Sequence, residues 1–375
     1  MSSFAISCGG TGGHLSPGIA LAERLTERGH RCRLLISQKD VDSRLIQKYP
    51  KLEFVRAPGA AFGMSLMMLL RFGATQLASF FFSLNYLRRT RPDVIVGFGG
   101  FLTTGISLAG YIMGIPLVLH EANRRPGRAV RMLSGFARRI YLPPGVRLRG
   151  LPPQALRHCG FPVRQEIRKE PREAARARLG LPAEGAVLLV LGGSQGAQSF
   201  NEWVTQNFEA LAARGVNVVC VTGLGKDNQE SLECAGPSGR RVVARFLPFC
   251  DDMASLLSCA DLAVSRAGAG SLAEFVRCRL PAVLVPYPFA ADNHQWENAR
   301  CYERQGGGLV LDAKDVGRLL SEVLELIFND FLLESFCRNL ERMERSNSLD
   351  VLLHDLEELA VEGRQYAPDE IAATT

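Results

Sequence analysis

Short runs of apolar residues alternate along most of the chain with longer stretches in which apolar residues recur at helical spacing. The short runs predict strands at residues 4–8, 33–37, 94–96, 116–119, 186–191, 216–221, 262–264 and 282–285. Runs that are apolar at every position and separated by helices are typical of parallel strands covered on both faces. The sequence therefore predicts an α/β protein with parallel sheets.

The pattern restarts near residue 164, and each half begins with a strand that ends in a glycine-rich turn, at residues 9–13 and 192–196. We therefore expect two Rossmann-like domains, 1–163 and 164–345, which face a central cleft and bind ligands at the carboxyl ends of their strands. The length of 375 residues is sufficient for two domains of ordinary size.

The remaining C-terminal residues form two segments of different character. A helix at about 346–362 is expected to pack back on the first domain, and residues 363–375 are expected to form a loose tail.

The ten cysteines are scattered and include no C-x-x-C pair. This distribution argues against a zinc site or a disulfide framework and predicts a reducing, cytosolic environment. Residues 1–8 form a short strand pattern without the basic start and long apolar core of an export signal, so no signal peptide is expected.

Charge is divided unequally between the two halves, although the net charge is only +6. Residues 1–170 carry 25 Lys and Arg against 9 Asp and Glu, whereas residues 171–375 carry 19 against 29. The basic half lacks the interleaved basic and aromatic residues of nucleic-acid-binding proteins, so we expect no nucleic-acid partner. An anionic membrane surface is the better candidate.

Residues 61–87 are largely apolar, and Arg88, Arg89 and Arg91 follow them directly. Arg71 and several polar residues interrupt the segment, so it does not match a membrane-spanning helix of about 20 apolar residues. Two interpretations remain open: helices buried in the core, or an exposed apolar patch with a basic rim, at 61–91, that docks on anionic lipid. Both can hold for different faces of the segment.

The turn Gly9-Gly10-Thr11-Gly12-Gly13 separates the first strand from a helical pattern, and His14 follows it. Glycines allow close backbone approaches that a Cβ would block, and amides at a helix start favour an anion. Histidine has an unperturbed pKa of about 6.5, which suits a general base for a hydroxyl group. The alternative role of His14 is to cap or pack the helix.

A second glycine turn in the same half, Gly97-Phe98-Gly99-Gly100, follows the strand at 94–96. Two such turns predict a diphosphate site formed by backbone amides, since neither is followed by the lysine of a P-loop. The next strand ends at His120-Glu121-Ala122-Asn123, where Asn123 either caps the following helix or binds a sugar hydroxyl.

In the second half, Ser194 offers a hydroxyl to a phosphate group from the turn at 192–196. Ala269-Gly270-Ser271 begins a helix, and Glu274 follows one turn later, where it could accept from ribose hydroxyls or simply favour the helix dipole. The polar cluster at 292–295, which includes Gln295, suits the recognition of hydroxyl groups. The chain has no H-E-x-x-H motif, nucleophile elbow or dinucleotide-type glycine spacing, so no metal and no cofactor are expected.

The ordered set GGTGGH, GFGG, HEAN, FPVR, GGSQG, SRAGAGSLAE and DNHQ resembles the MurG family of glycosyltransferase family 28, over about residues 4–345. Members are undecaprenyl-diphospho-muramoylpentapeptide β-N-acetylglucosaminyltransferases of bacterial peptidoglycan synthesis. The resemblance implies a GT-B fold and a peripheral enzyme on the cytoplasmic face of the cell inner membrane. It implies inverting transfer of GlcNAc from UDP-GlcNAc to the muramoyl 4-hydroxyl of lipid I, which gives lipid II and UDP.

The resemblance also implies roles for individual residues, with His14 as the catalytic base. The residues implied in UDP-GlcNAc binding are Thr11, Gly12, Gly13, Asn123, Arg164, Ser194, Cys250, Ala269, Gly270, Ser271, Glu274 and Gln295. Those implied in binding the acceptor diphosphate are Gly9, Gly10, Gly97, Gly99 and Gly100. Other cell-wall synthesis proteins are candidate partners, with links to cell shape and cell division.

Two alternatives remain open. One is a GT-B glycosyltransferase that acts on a different lipid, such as diacylglycerol, and the other is a UDP-GlcNAc-binding scaffold without catalytic activity. Acceptor choice would identify the first, and binding without turnover would identify the second.

Overall fold

The computed structural model describes residues 1–9, 12–38, 45–59, 65–193, 196–225 and 230–365. The chain forms two compact units, each built on a seven-stranded sheet. The first comprises Met1–Ala122, Pro126–Arg164 and the C-terminal segment that begins at Ser348. The second comprises Gln165–Asn347 together with the tripeptide Asn123–Arg125.

The sheet of the first unit is parallel throughout, with the strand order β3-β2-β1-β4-β5-β6-β7. Its strands are β1 (Ser3–Ser7), β2 (Arg31–Ile36), β3 (Glu53–Arg56), β4 (Val94–Gly97), β5 (Leu117–His120), β6 (Arg139–Leu142) and β7 (Leu156–His158). The helices that follow them are α1 (Gly12–Glu27), α2 (Leu66–Thr90), α3 (Phe101–Ile112) and α4 (Arg128–Leu133). The order reverses between β1 and β4, which opens a crevice at the carboxyl ends of these two strands.

The central strands are apolar at every position because helices cover both faces of the sheet. On β4, Val94 and Val96 belong to the core cluster that contains Ile19 of α1. Ile95 points to the opposite face and belongs to the cluster that contains Ile106 of α3. The parallel sheet predicted from continuous apolar runs is confirmed in this unit.

The second unit has the strand order β10-β11-β9-β8-β12-β13-β14. Its strands are β8 (Ala186–Leu191), β9 (Val216–Val221), β10 (Ser231–Ala235), β11 (Arg241–Leu247), β12 (Leu262–Ser265), β13 (Ala282–Leu284) and β14 (Gly308–Val310). Its helices are α5 (Arg172–Arg178), α6 (Gln198–Ala213), α7 (Met253–Ser258), α8 (Ala269–Cys278), α9 (His294–Arg304), α10 (Leu319–Ile327) and α11 (Asp330–Arg345). All neighbouring strands are parallel except the edge pair β10 and β11. The order reverses between β8 and β12.

Charged residues explain why apolar runs did not predict the edge strands β3 and β10. Glu53 of β3 accepts from Arg31 and Arg33 of the neighbouring β2, at 2.7–2.9 Å. Glu233 of β10 pairs in the same way with Arg241 of β11. Edge strands carry such charges because one side of them faces water, so they lack the continuous apolar pattern.

Helix α2 overlaps the apolar segment 61–87, of which residues 61–64 lie outside the described residues. Leu87 is buried in the core and Phe80 and Phe82 pack against it, whereas other large apolar residues of the helix are exposed. Met67, Leu77 and Phe81 are 81%, 62% and 64% exposed, whereas Ser79 is buried. A Cβ on Gly105 of α3 would lie 2.5 Å from the Ser79 hydroxyl oxygen, so the two helices approach closely through small residues. None of the described helices is long and apolar enough to span a membrane.

A last helix, α12 (Asp350–Gln365), belongs to the first unit and buries Leu352, Leu356 and Leu359 in the core. Its Asp355 is buried against β6, where it accepts a hydrogen bond from the Tyr141 hydroxyl. The Arg139 guanidinium lies 2.7 Å from the other Asp355 oxygen. Burial is the main cause that raises the pKa of Tyr141, and its hydrogen bond to Asp355 adds to this effect.

Replacing Asp355 is expected to destabilise the first unit. In Asp355→Ala the buried Tyr141 hydroxyl loses its hydrogen-bond acceptor and the Arg139 guanidinium loses its ion-pair partner, which together should cost about 3 kcal/mol. Urea unfolding followed by circular dichroism, with hydrogen exchange in α12, would measure the loss. Glu358→Ala is the matched control, because Glu358 is an exposed partner of Arg139 and should contribute no more than about 1 kcal/mol. Equal losses in both variants would contradict this role of Asp355.

Candidate functional site

Two glycine turns lie side by side where the strand order of the first unit reverses, because β1 and β4 are neighbours. A Cβ on Gly9 would lie 2.3 Å from the Ser37 amide nitrogen, and one on Gly97 would lie 2.5 Å from Cγ2 of Thr103. Gly99 has a φ of +89°, in the left-handed region that favours glycine. Gly12 begins α1, whereas Gly10 and Thr11 lie outside the described residues.

His14 is half-buried in the first turn of α1 and faces the turn after β4. A Cβ on Gly100 would lie 3.3 Å from its Nδ1, and one on Gly99 would lie 3.6 Å from its Nε2. Two buried hydroxyls hold this turn: Thr103 donates to the Gly99 carbonyl at 2.6 Å and is hydrogen-bonded to Ser7 of β1 at 3.2 Å. The structure thus brings His14 together with the two predicted diphosphate turns.

His120, at the end of β5, is buried beneath the same turn. Its ring lies 5.1 Å from that of Phe98, and Nε2 donates to the Gly160 carbonyl at 3.3 Å. Burial lowers the pKa of His120 to about 4, so the imidazole is neutral near pH 7. Glu121 accepts from the Gly127 amide at 2.6 Å. Gly127 is the N-cap residue of α4, so Asn123 does not cap that helix.

The turn after β8 lies at the corresponding reversal in the second unit. A Cβ on Gly192 would lie 2.1 Å from the Ala197 amide nitrogen, and one on Gly196 would lie 2.2 Å from the Thr222 carbonyl oxygen. These contacts leave no room for a side chain at either position. Ser194, which the sequence places in this turn, lies outside the described residues.

The turn after the neighbouring β12 leads into α8. Gly268 is the N-cap residue of this helix and has no side chain to bind the amides of Ala269, Gly270 and Ser271. Free amides at a helix start are suited to an anion. Glu274 is half-buried in the second turn of the helix.

Gln295 and Cys250 also lie at the carboxyl ends of the strands of the second unit. The Gln295 side-chain oxygen accepts from the amides of Ala267, at 3.2 Å, and Tyr287, at 2.9 Å. Cys250 follows β11, and its thiol donates to the Asp252 carbonyl at 3.4 Å. These hydrogen bonds connect Gln295 to the turn after β12. Cys250 follows β11, which is separated from β12 in the sheet by β9 and β8.

Asn123 and Arg164 are two further residues that the resemblance implies in UDP-GlcNAc binding. Asn123 follows β5 but belongs to the second unit, where its side-chain oxygen accepts from Asn298 at 3.0 Å. Arg164 is buried in the first unit and donates to the Tyr49 hydroxyl at 3.3 Å.

Arg266 is a further residue of this region that was not predicted from the sequence. Its guanidinium donates to the Val285 carbonyl at 3.0 Å and to the Ser199 hydroxyl at 3.2 Å, and it lies 4.5 Å from the centre of the Phe200 ring. It thereby joins the turns after β12 and β13 to the start of α6, and burial lowers its pKa. The available signal was a single arginine directly after an apolar strand.

Among the residues that the structure describes, no three His, Cys, Asp or Glu side chains are arranged to bind a metal ion. The groups gathered at the two reversals are backbone amides, side-chain amides and hydroxyls, together with His14 and Glu274. Such groups can bind a diphosphate and sugar hydroxyls and can accept a proton.

Family models and curated relatives match most of the chain. The glycosyltransferase family 28 N-terminal domain matches residues 4–142, and the C-terminal domain of the same family matches residues 187–347. A UDP-N-acetylglucosamine--N-acetylmuramyl-(pentapeptide) pyrophosphoryl-undecaprenol N-acetylglucosamine transferase from Opitutus terrae is 55% identical over 96% of this chain and 95% of its own length. The protein of the same name from Desulforudis audaxviator is 36% identical over 96% of this chain and 98% of its own.

Solved structures of glycosyltransferases share the fold. Acinetobacter baumannii MurG has a TM-score of 0.70 at 22% identity and covers 95% of this chain and 99% of its own. The glycosyltransferase of kitacinnamycin has a TM-score of 0.71 at 18% identity and covers 96% of this chain and 99% of its own. The prediction of two Rossmann-like domains of the glycosyltransferase type is confirmed at the level of fold.

The buried His120 is expected to make the first unit acid-sensitive. Its pKa is about 4 in the folded protein, against 6.5 for an ordinary histidine, so the unfolded chain binds more protons between these values. The free energy of unfolding should therefore fall as the pH is lowered from about 6.5 to about 4, by about 3 kcal/mol in full. In His120→Gln this part of the pH dependence should be absent, which urea titrations at several pH values would measure. Identical pH profiles would contradict the assignment.

Proposed function

The chain belongs to glycosyltransferase family 28, and we propose that it transfers GlcNAc from UDP-GlcNAc to lipid I in peptidoglycan synthesis. The acceptor is the muramoyl 4-hydroxyl, the reaction inverts the anomeric centre, and the products are lipid II and UDP. The observation that carries this proposal is the 55% identity, over nearly the whole chain, to a named N-acetylglucosamine transferase.

We infer that the donor is bound by the second unit. The amides at the start of α8 and in the turn after β8 are suited to the UDP diphosphate. Glu274 and Gln295 would bind hydroxyl groups, and Cys250 would meet the uracil through its backbone. Asn123, Arg164 and Ser194 are also proposed donor contacts, together with Thr11, Gly12 and Gly13 of the first unit.

The acceptor diphosphate would lie at the turns that contain Gly9, Gly10, Gly97, Gly99 and Gly100. The 4-hydroxyl attacks the anomeric carbon from the face opposite UDP, a new C–O bond forms, and the bond to the β-phosphate oxygen breaks. UDP leaves with the electron pair of that bond, and the hydroxyl proton passes to His14. Backbone amides fixed by the fold would stabilise the negative charge that develops on the leaving diphosphate.

The proposal is tested by GlcNAc transfer from labelled UDP-GlcNAc to a lipid I analogue, with diacylglycerol as a competing acceptor. A β-linked disaccharide-lipid is expected. Transfer to diacylglycerol would instead support the alternative lipid acceptor, and binding of UDP-GlcNAc with no transfer would support the non-catalytic scaffold.

Within this assay, His14→Ala should lower kcat by roughly 100-fold or more, because the hydroxyl would lose its base. His158→Ala is the matched control, since His158 is an exposed histidine of the same unit, at the end of β7. Near-normal turnover of folded His14→Ala would remove His14 from the role of base.

We also propose that the exposed face of α2 docks on the anionic surface of the cytoplasmic face of the inner membrane. Exposed Met67, Leu77 and Phe81 would enter the lipid, while the exposed Arg88 and Arg89 would meet anionic headgroups. Ser79 and Leu87 are buried on the core side of the helix, so the exposed Met67, Leu77 and Phe81 are not part of the core packing, which supports this arrangement. Contacts with other cell-wall synthesis proteins remain part of the proposal.

The double variant Leu77→Ser/Phe81→Ser should bind vesicles that contain anionic phospholipid at least about tenfold more weakly, since two apolar side chains no longer enter the lipid. Vesicle sedimentation measures the change, and activity on a water-soluble acceptor should be retained. Phe331→Ser is the control, because Phe331 is a 77% exposed aromatic residue of the second unit. Unchanged sedimentation of the double variant would contradict docking through α2.

A further inference from the structure

Asn298 of α9 is a buried residue, only 4% exposed, whose side-chain amide makes three hydrogen bonds. Its oxygen accepts from the Arg124 amide at 2.9 Å. Its nitrogen donates to the Asn123 side-chain oxygen at 3.0 Å and to the Ala267 carbonyl at 3.1 Å. The amide therefore joins the tripeptide Asn123–Arg125 to the turn after β12.

Gln295 lies three residues before Asn298, so the two side chains leave α9 on the same face. Gln295 accepts from the Ala267 amide, and Asn298 donates to the Ala267 carbonyl. Ala267 is fully buried, and its backbone N–H and C=O are thus both hydrogen-bonded to side chains of α9.

The position of Ala267 determines where α8 begins, because only Gly268 separates it from the first helical residue, Ala269. The amides at this helix start are the proposed diphosphate contacts. The bond between Asn298 and Asn123 also fixes which end of the Asn123 amide faces α9. One buried amide therefore sets the position of two separate parts of the donor site.

We propose that Asn298 is a positioning residue for UDP-GlcNAc, which acts through Asn123 and through the start of α8. This inference rests on the proposed function, because it takes the second unit to be the donor-binding unit. Asn298 itself is buried behind these groups and is not proposed to touch the donor.

Titration calorimetry with UDP-GlcNAc, in the absence of acceptor, tests the inference on the full chain. Asn298→Ala should raise the Kd about tenfold, and should raise the KM for UDP-GlcNAc more than it lowers kcat. Asn298→Asp keeps the volume and the acceptor for Arg124, but it loses both donors and should weaken binding to a similar degree. This second variant separates lost hydrogen bonds from lost packing.

Asn217→Ala is the matched control. Asn217 of β9 is a 1% exposed asparagine of the same unit that also makes three hydrogen bonds to backbone groups, at the amino-terminal end of the sheet. Its replacement should lower the thermal stability and leave the Kd unchanged. A purely structural role of Asn298 would give the same result as this control.

A double-variant cycle tests the coupling to Asn123. If Asn298 acts partly through Asn123, the Kd of Asn123→Ala/Asn298→Ala should rise by less than the product of the two single effects. Full additivity would overturn the coupling, and a folded Asn298→Ala variant with the wild-type Kd would overturn the inference. A wild-type chain that binds UDP-GlcNAc but transfers nothing to lipid I would contradict the proposed function instead, and the Kd comparison would still test Asn298.

Discussion

Close backbone approach at the two strand-order reversals is the constraint on which the rest of the structure depends. At Gly9, Gly97, Gly192 and Gly196, a Cβ would lie 2.1–2.5 Å from a neighbouring atom, closer than folded proteins allow. Because no side chain is present at these positions, backbone amides form the surface at the carboxyl ends of the strands. The helices α1 and α8 begin next to these turns and add their own amides.

The glycine-rich turns have few side chains of their own to fix their conformation. Polar side chains of neighbouring elements fix it through hydrogen bonds. Thr103 and Ser7 hold the turn after β4, and Gln295 and Asn298 hold the turn after β12. Each of these groups satisfies a backbone or hydroxyl group that burial would otherwise leave without water. Ser7, Thr103 and Asn298 are buried and position these turns from behind, whereas Gln295 is in addition a proposed donor contact.

The central strands and the glycine turns could be predicted from the sequence because both signals are local. A strand covered on both faces must be apolar throughout, as β4 and β8 are, and glycine is required where a Cβ has no space. The edge strands β3 and β10 carry charges and gave no such signal. The sequence also did not predict that Asn123–Arg125 belongs to the second unit or that Arg164 is buried beside Tyr49. Both features depend on contacts between residues far apart in sequence.

The tripeptide Asn123–Arg125 has a consequence for how the protein can be divided and recombined. The chain passes between the two units four times, so neither unit is one continuous stretch of sequence. A fragment of residues 165–347 would lack Asn123 and Arg124, two of the three hydrogen-bond partners of Asn298. A chimera that exchanges the second unit between relatives must therefore also exchange these three residues, although they lie about 40 positions away in the sequence of the other unit.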